Sequence, residues 1–190
     1  MDVFFQCGYA GTSMDRVAAT AGVSKQTIYS YFKDKEGLFV ALIERVTIRS
    51  FQDEFGPEPD KGEPALLLQR LATKFLAKMG DQEYVALLRV VIAESARFPE
   101  LAQLYVRTVI QRSCTCLSLY FQSHPELNIP DPEAIARIFF GSLAAFIMTQ
   151  EILHGHQTMP MENERLINSL INLILNGTAT DVSTVNFTNC

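Results

Sequence analysis

Histidine is scarce: the 190-residue chain has three, all between residues 124 and 156. No Ser/His/Asp or Cys/His set can be assembled from them, and no glycine-rich phosphate loop is present, so an enzyme is not expected. His154-Gly155-His156 has only Glu151 as a further ligand at helical spacing. The pair reads as a solvated helix end, and no metal or other cofactor is expected. Cysteine is almost as thin. Cys7, Cys114, Cys116 and Cys190 fit no zinc spacing. Cys114 and Cys116, two apart on one helix, point away from each other. No disulfide framework follows, and a reducing cytoplasm is the expected location. No apolar run reaches the roughly 18 uncharged residues of a membrane span. The opening Met1-Asp2-Val3-Phe4-Phe5 has no basic n-region, so neither membrane nor signal peptide is expected.

Basic charge is also in short supply. Sixteen Lys/Arg face 21 Asp/Glu, a formal net charge of −5. The distribution is uneven: residues 1–50 carry six bases and five acids, so the acidity lies in the remaining 140 residues. Charge alone does not announce a nucleic-acid partner.

What is present is apolar periodicity. Hydrophobic residues, 48% of the chain, recur at spacings of three and four nearly everywhere, which predicts an all-α fold. Gly56-Pro57-Glu58-Pro59-Asp60-Lys61-Gly62 is a turn-rich connector between a small N-terminal unit and a larger helical part. Proline, aspartate and glycine punctuate the latter. Pro64 opens a helix ending near Gly80, with Leu68, Leu71, Phe75 and Met79 on one face. Asp81 caps a second that reaches about Arg97. Pro99 starts a long third, to about Ser123. Asp131-Pro132 opens a fourth, to His154-Gly155, and a fifth runs from about Pro160 to Asn176 with Gly177 as its stop. With about four helices before the connector, the total is about nine. The tail from Thr178 is polar and expected to be loose.

The most informative segment is Gly8 to Phe39. Thr12 or Ser13 caps a short helix, with Asp15 near its positive end and Met14, Val17 and Ala18 facing inward. Ala21-Gly22-Val23 is a tight turn in which Gly22 supplies a positive φ. Ser24 caps a second short helix, and Val23 and Ile28 have the spacing of a hydrophobic staple. Phe4, Phe32, Leu38, Phe39, Leu42 and Ile43 are left as core. Lys25, Gln26, Thr27, Tyr29, Ser30 and Tyr31 remain for the outer face, with no acid among them. Two short helices joined this way form a helix-turn-helix, whose second helix enters the major groove of DNA.

Gly-Tyr-x-x-Thr-Ser-Met-Asp at 8–15 and Ala-Gly-Val-Ser-Lys-x-Thr-x-Tyr-x-Tyr-Phe-x-x-Lys-Glu-x-Leu-Phe at 21–39 resemble the DNA-binding signature of the TetR family, gap-free over about 3–46. Phe98-Pro99-Glu100-Leu101 and Phe139-Phe140-Gly141-Ser142 loosely resemble the AefR-like ligand domain. Of the family's first helix only the end, Met1 to Gln6, is expected here.

The resemblance implies a DNA-binding domain over 1–50, built on a three-helix helix-turn-helix unit. A ligand-binding and dimerisation domain over 51–190 would follow. It implies a repressor that binds a palindromic operator as a homodimer and is released by a small apolar or amphipathic ligand. Thr12, Ser13 and Ser24 would hold phosphates at helix starts. Lys25, Gln26 and Thr27 would read guanine, adenine and the thymine methyl. Tyr29, Ser30 and Tyr31 would line the same DNA face, the two tyrosines on phosphate, and Lys35 would clamp the backbone.

Helix faces suggest Phe75, Met79, Leu88, Ile92, Tyr105, Val109 and Met148 as cavity liners, with Arg89 and Arg112 as their polar partners. The 131–154 helix is apolar nearly all round, and the last helix has an apolar face wider than one core contact uses, beside the polar stripe Asn168, Asn172, Asn176. The last two helices are therefore expected to pair with a second copy through Ile138, Phe146, Leu153, Leu166, Leu170 and Ile174. Two other classes stand beside this one: a helical sensor whose DNA unit is degenerate, and an enzyme using the C-terminal cavity.

Overall fold

The computed structural model describes residues 2–55 and 63–177, with backbone only over 46–55. The connector 56–62 and the tail 178–190 lie outside the described residues. Among those described there is no strand. Nine helices follow one another, if two that pass through a π-helical turn are each counted once.

Helix α1 is Asp2–Gly11, broken at Gly8, whose φ of 66° and ψ of 179° suit glycine. The chain therefore continues helically past Gln6 before it turns. A Cβ at Gly8 would lie 2.7 Å from Glu94 Oε1. That carboxylate also accepts from the Ala10 amide at 3.3 Å.

α2 is Met14–Ala21 and α3 is Lys25–Phe32. Ser13 caps the first by accepting from the Arg16 amide, and Ser24 caps the second by accepting from that of Thr27. Gly22, at φ 67°, ends α2 with its amide on Ala18 and Ala19. Met14, Ala18 and Ile28 form a small core backed by Val17, Phe32 and Leu38. Of the two expected staple residues, Val23 is exposed and Ile28 is buried with Met14 and Ala18.

α4 is Lys35–Phe55, started by the Asp34 carboxylate, which accepts from the Gly37 amide at 2.7 Å. Phe39 and Ile43 are fully buried. Together with Phe4 and Tyr9 of α1 they belong to the main core, the one that Leu68, Leu87, Leu117 and Leu143 also fill. So α2 and α3 have a core of their own, whereas α1 and α4 are rooted in the larger body.

α5 is Pro64–Met79 and α6 is Gln82–Glu94, capped by Asp81 on the Glu83 and Tyr84 amides. α6 stops three residues short of Arg97. Phe98 precedes Pro99 and is driven out of the helical region, to φ −130° and ψ 72°. α7 runs from Pro99–Tyr105 through the π-helical turn Val106–Gln111 into Arg112–Ser123. α8 runs from Pro132–Ile147 through the π-helical turn Met148–Ile152, with Asp131 capping the Ala134 amide. α9 is Asn163–Asn176, later than the expected start at Pro160, and it packs on α5. Among the described helices, α8 is long and apolar enough to cross a membrane by length and composition; one third of its most apolar window is buried.

Candidate functional site

Two places collect the candidate residues. The first is the outer face of α3. Ser24, Lys25, Gln26, Tyr29, Ser30 and Tyr31 are exposed and Thr27 is half-buried. Tyr31 is 77% exposed and Tyr29 47%, far more than packing residues keep. Gln26, Tyr29 and Tyr31 make no hydrogen bond to another described side chain or carbonyl, so their polar groups are free for an external partner. Ser24, Thr27 and Ser30 are partly committed to the helix itself. Ser24 Oγ lies 2.8 Å from Thr27 Oγ1, and Ser30 Oγ donates to the Thr27 carbonyl at 2.8 Å. Lys25 is ion-paired with Asp15, both side chains more than half exposed.

Two of the expected DNA contacts are spent elsewhere. Thr12 is 3% exposed, and its hydroxyl donates to the Gly8 carbonyl at 2.7 Å, which ties down the break in α1. The Lys35 ammonium donates to the Tyr9 carbonyl at 2.9 Å and sits 4.4 Å from the centre of the Tyr9 ring. It bolts α4 to α1 rather than reaching outward. Two exposed cations of this unit were not among the expected contacts: Arg16, which donates to Cys7 Sγ at 2.9 Å, and Lys33, left-handed at φ 60°. Their signal was no more than a share in the small basic excess.

The second place is a cavity of about 470 Å³ between α5, α6, α7 and α8. Phe75, Met79, Leu88, Ile92, Tyr105, Val109 and Met148 all line it, as their helix faces suggested. Arg89 and Arg112 do not. Both are exposed, and Arg89 donates to the Glu151 carbonyl at 3.4 Å. Each lies one position off the lining stripe of its helix, at about 100° per residue, enough to turn the side chain outward.

The polar groups of the wall are instead Tyr84, Ser113 and Arg137. Tyr84 was legible as the i−4 neighbour of Leu88 on the same stripe. The Tyr84 and Tyr105 hydroxyls hydrogen-bond each other in the buried wall, joining α6 to α7. Burial pushes the Tyr84 phenol far up, and the neighbouring Tyr105 adds to it. Burial raises Tyr105 too, against the opposing effect of that hydrogen bond. Both therefore stay neutral.

Tyr84→Phe should cost about 1–3 kcal/mol by orphaning the Tyr105 hydroxyl. Adding Tyr105→Phe should restore most of that loss, because both partners are then apolar. Urea unfolding of the two single variants and the double variant reads this; additive losses would contradict it.

The expected pairing residues divide. Ile138 is 53% and Leu153 68% exposed, and Phe146 and Leu166 are half-buried. Leu170 and Ile174, however, are 6% and 3% exposed and belong to the main core. Packing on α5 takes the inner half of the wide apolar face of α9. What that helix leaves outside is Leu173, 67% exposed, beside Asn168, Asn172 and Asn176. His154 is left-handed at the end of α8, and His156 Nδ1 lies 3.0 Å from the Gln150 carbonyl.

Comparison with known proteins agrees with this geometry. Residues 1–42 match the bacterial regulatory proteins of the tetR family, and residues 67–177 match the AefR-like transcriptional repressor C-terminal domain. The HTH-type transcriptional regulator RutR of Escherichia coli is 33% identical over 63 residues, 30% of either chain. The HTH-type transcriptional regulator YhgD of Bacillus subtilis is 28% identical over 182 residues, 92% of this chain and 90% of that one. Among solved structures, the flavonoid-responsive regulator FrrA superposes with a TM-score of 0.71 at 26% identity, covering 93% of this chain and 91% of its own. A TetR family regulator from Pseudomonas syringae gives 0.67 at 25% identity, covering 90% and 88%. An exposed polar face on α3, an apolar cavity among α5 to α8 and these matches over both parts have one reading: the chain belongs to the TetR family of transcriptional regulators.

Proposed function

We propose that this regulator is a repressor that binds a palindromic operator as a homodimer and lets go of it when a small amphipathic ligand enters the cavity. The observation that carries the reading is the α3 face, where Gln26, Tyr29 and Tyr31 stand exposed with unused polar groups. Residues 1–50 act as the DNA-binding unit and 51–190 as the ligand-binding and dimerisation domain, in the cytoplasm. Lys25, Gln26 and Thr27 read bases, with Lys25 leaving Asp15 as it engages. The helix starts at Ser13 and Ser24 hold phosphates, and Tyr29, Ser30 and Tyr31 flank them.

Homodimerisation has its support in the exposed apolar groups of α8 and of the chain from there to α9. Ile138, Leu153 and Leu173 are all more than half exposed, with Phe146 and Leu166 half-buried. A second copy is the fitting cover, because a two-fold pair holds two recognition helices about one DNA turn, roughly 34–36 Å, apart. A ligand acts by favouring a state in which that spacing is wrong, with a coupling of about 1–3 kcal/mol. FrrA is flavonoid-responsive, and a FadR from Bacillus subtilis, 19% identical with a TM-score of 0.62, was solved with stearoyl-CoA. Both names fit an effector with a large apolar body.

Sedimentation equilibrium of Leu153→Asp/Leu173→Asp tests the assembly. The wild type should run at twice its 21.3 kDa chain mass and the variant as a monomer. The variant should also lose operator binding while keeping its helical spectrum. A variant that stays dimeric would contradict the assigned face.

A second reading, a sensor with weakened DNA binding, has one observation in its favour. Lys25 and Lys35 are both engaged within the protein, leaving few free cations near α3.

A further inference from the structure

A second pocket of about 390 Å³, of mixed lining that includes Val106 and Leu119, adjoins the cavity between α7 and α8. Gln111, Thr115, Ser118 and Gln122 of α7 line it, opposite Glu133 and Arg137 of α8. The two spaces share Ile110, Cys114 and Arg137, so they meet at these three side chains. Ile110 and Gln111 lie in the π-helical turn of α7, the kind of irregularity that helices keep at working sites. Among the described residues, Arg137 is the one charged group in the wall of the apolar chamber.

Its present partner holds it poorly. Arg137 Nε and Nη2 both donate to one oxygen, Glu133 Oε1, at 3.2 and 2.7 Å. The pair is not the two-on-two fork that guanidinium and carboxylate prefer. Both side chains are 68% exposed, and exposed pairs of this kind contribute little. An incoming carboxylate could take the guanidinium with full fork geometry. If it carried an apolar body, burying that body next door would favour the exchange.

We propose that the effector is an anionic amphiphile: its apolar body fills the chamber, and its carboxylate sits in the second pocket on Arg137, displacing Glu133. The proposal rests on the reading of the chamber as a ligand site, and names the chemistry of what enters it. Gln111, Thr115, Ser118 and Gln122 supply further hydrogen-bonding groups around the head. Glu133 acts as a gatekeeper, since its own carboxylate competes for Arg137.

Displacement of dansyl-labelled undecanoic acid, below micellar concentrations, tests this without DNA. The competitors are decanoate, decanol, decylamine and decyl phosphate. Decanoate should bind about threefold to tenfold tighter than decanol, the worth of a fork-shaped pair on a guanidinium that stays partly exposed. Arg137→Ala should abolish that preference, costing decanoate more than decanol, and Glu133→Gln should tighten decanoate severalfold. Equal affinity for decanoate and decanol, or equal losses for both in Arg137→Ala, would overturn the assignment of the head. Tighter binding of decyl phosphate than of decanoate would overturn the carboxylate in favour of a phosphate. If the folded wild type binds neither the dansyl probe nor any competitor, the chamber is not a ligand site and the underlying reading fails with the proposal.

Discussion

Phe39→Ala is expected to cost about 3–5 kcal/mol, near the top of the range for one truncated core aromatic. Phe39 is fully buried. Its ring lies edge-on to Phe4 at 5.3 Å and to Tyr9 at 5.4 Å, and Tyr9 in turn meets Phe98 at 5.1 Å. This row of rings runs from α4 through α1 to the start of α7, joining the DNA-binding unit to a helix that lines the cavity. Removing the Phe39 ring leaves a hole against α1, whose backbone Lys35, Thr12 and Glu94 already hold in place, so the site has little room to collapse. A domain is stable by only about 5–15 kcal/mol, so the variant sits close to unfolding at room temperature. Phe39→Leu keeps most of the volume and should cost less than about 1.5 kcal/mol. Urea denaturation of the three proteins checks the pair of values. A loss below about 1 kcal/mol for Phe39→Ala would mean that the two parts do not share the core described here.

The second large effect falls on DNA and spares the fold. Gln26→Ala/Tyr29→Ala should weaken operator binding by about 10²- to 10³-fold, as expected for one adenine reader at about 1–3 kcal/mol and one aromatic contact beside it. Its stability should stay within about 0.5 kcal/mol of wild type, because both side chains are exposed and make no hydrogen bond within the chain. Lys25→Ala should act differently. It removes the guanine reader, so discrimination at that one base should fall by about 1–3 kcal/mol while the other positions of the site stay selective. Titrations of operators altered one base pair at a time separate the two behaviours. A double variant that binds the operator as well as wild type would show that α3 is not the reading helix.

Local chemistry explains which parts of this structure are readable in the sequence. Ser13, Ser24, Asp81 and Asp131 cap helices, and Pro64, Pro99 and Pro132 open them, because caps and prolines act within a few residues of themselves. Seven cavity liners followed from helix stripes for the same reason. What was hidden depends on which helix meets which. Thr12 is a good cap residue by type, yet the break at Gly8 claims its hydroxyl. Lys35 has the position of a phosphate clamp, but Tyr9 arrives from another helix and takes its charge. Leu170 and Ile174 belong to a stripe wide enough for two partners, and only the packing of α9 on α5 decides which half is inside. Arg137 looks like any surface residue of an i, i+4 pair until the space beside it is known.

The proposed function requires a dimer of this chain to read a palindrome through α3. Selection of bound fragments from a sheared genomic DNA pool, at about 100 mM salt where nonspecific phosphate binding is partly suppressed, tests it most directly. Enrichment of one short inverted repeat is expected, with half-site centres about 10–10.5 base pairs, or a small multiple of that, apart. Recovery of no common sequence by the folded protein would rule this mode of binding out, and so would a single site without two-fold symmetry.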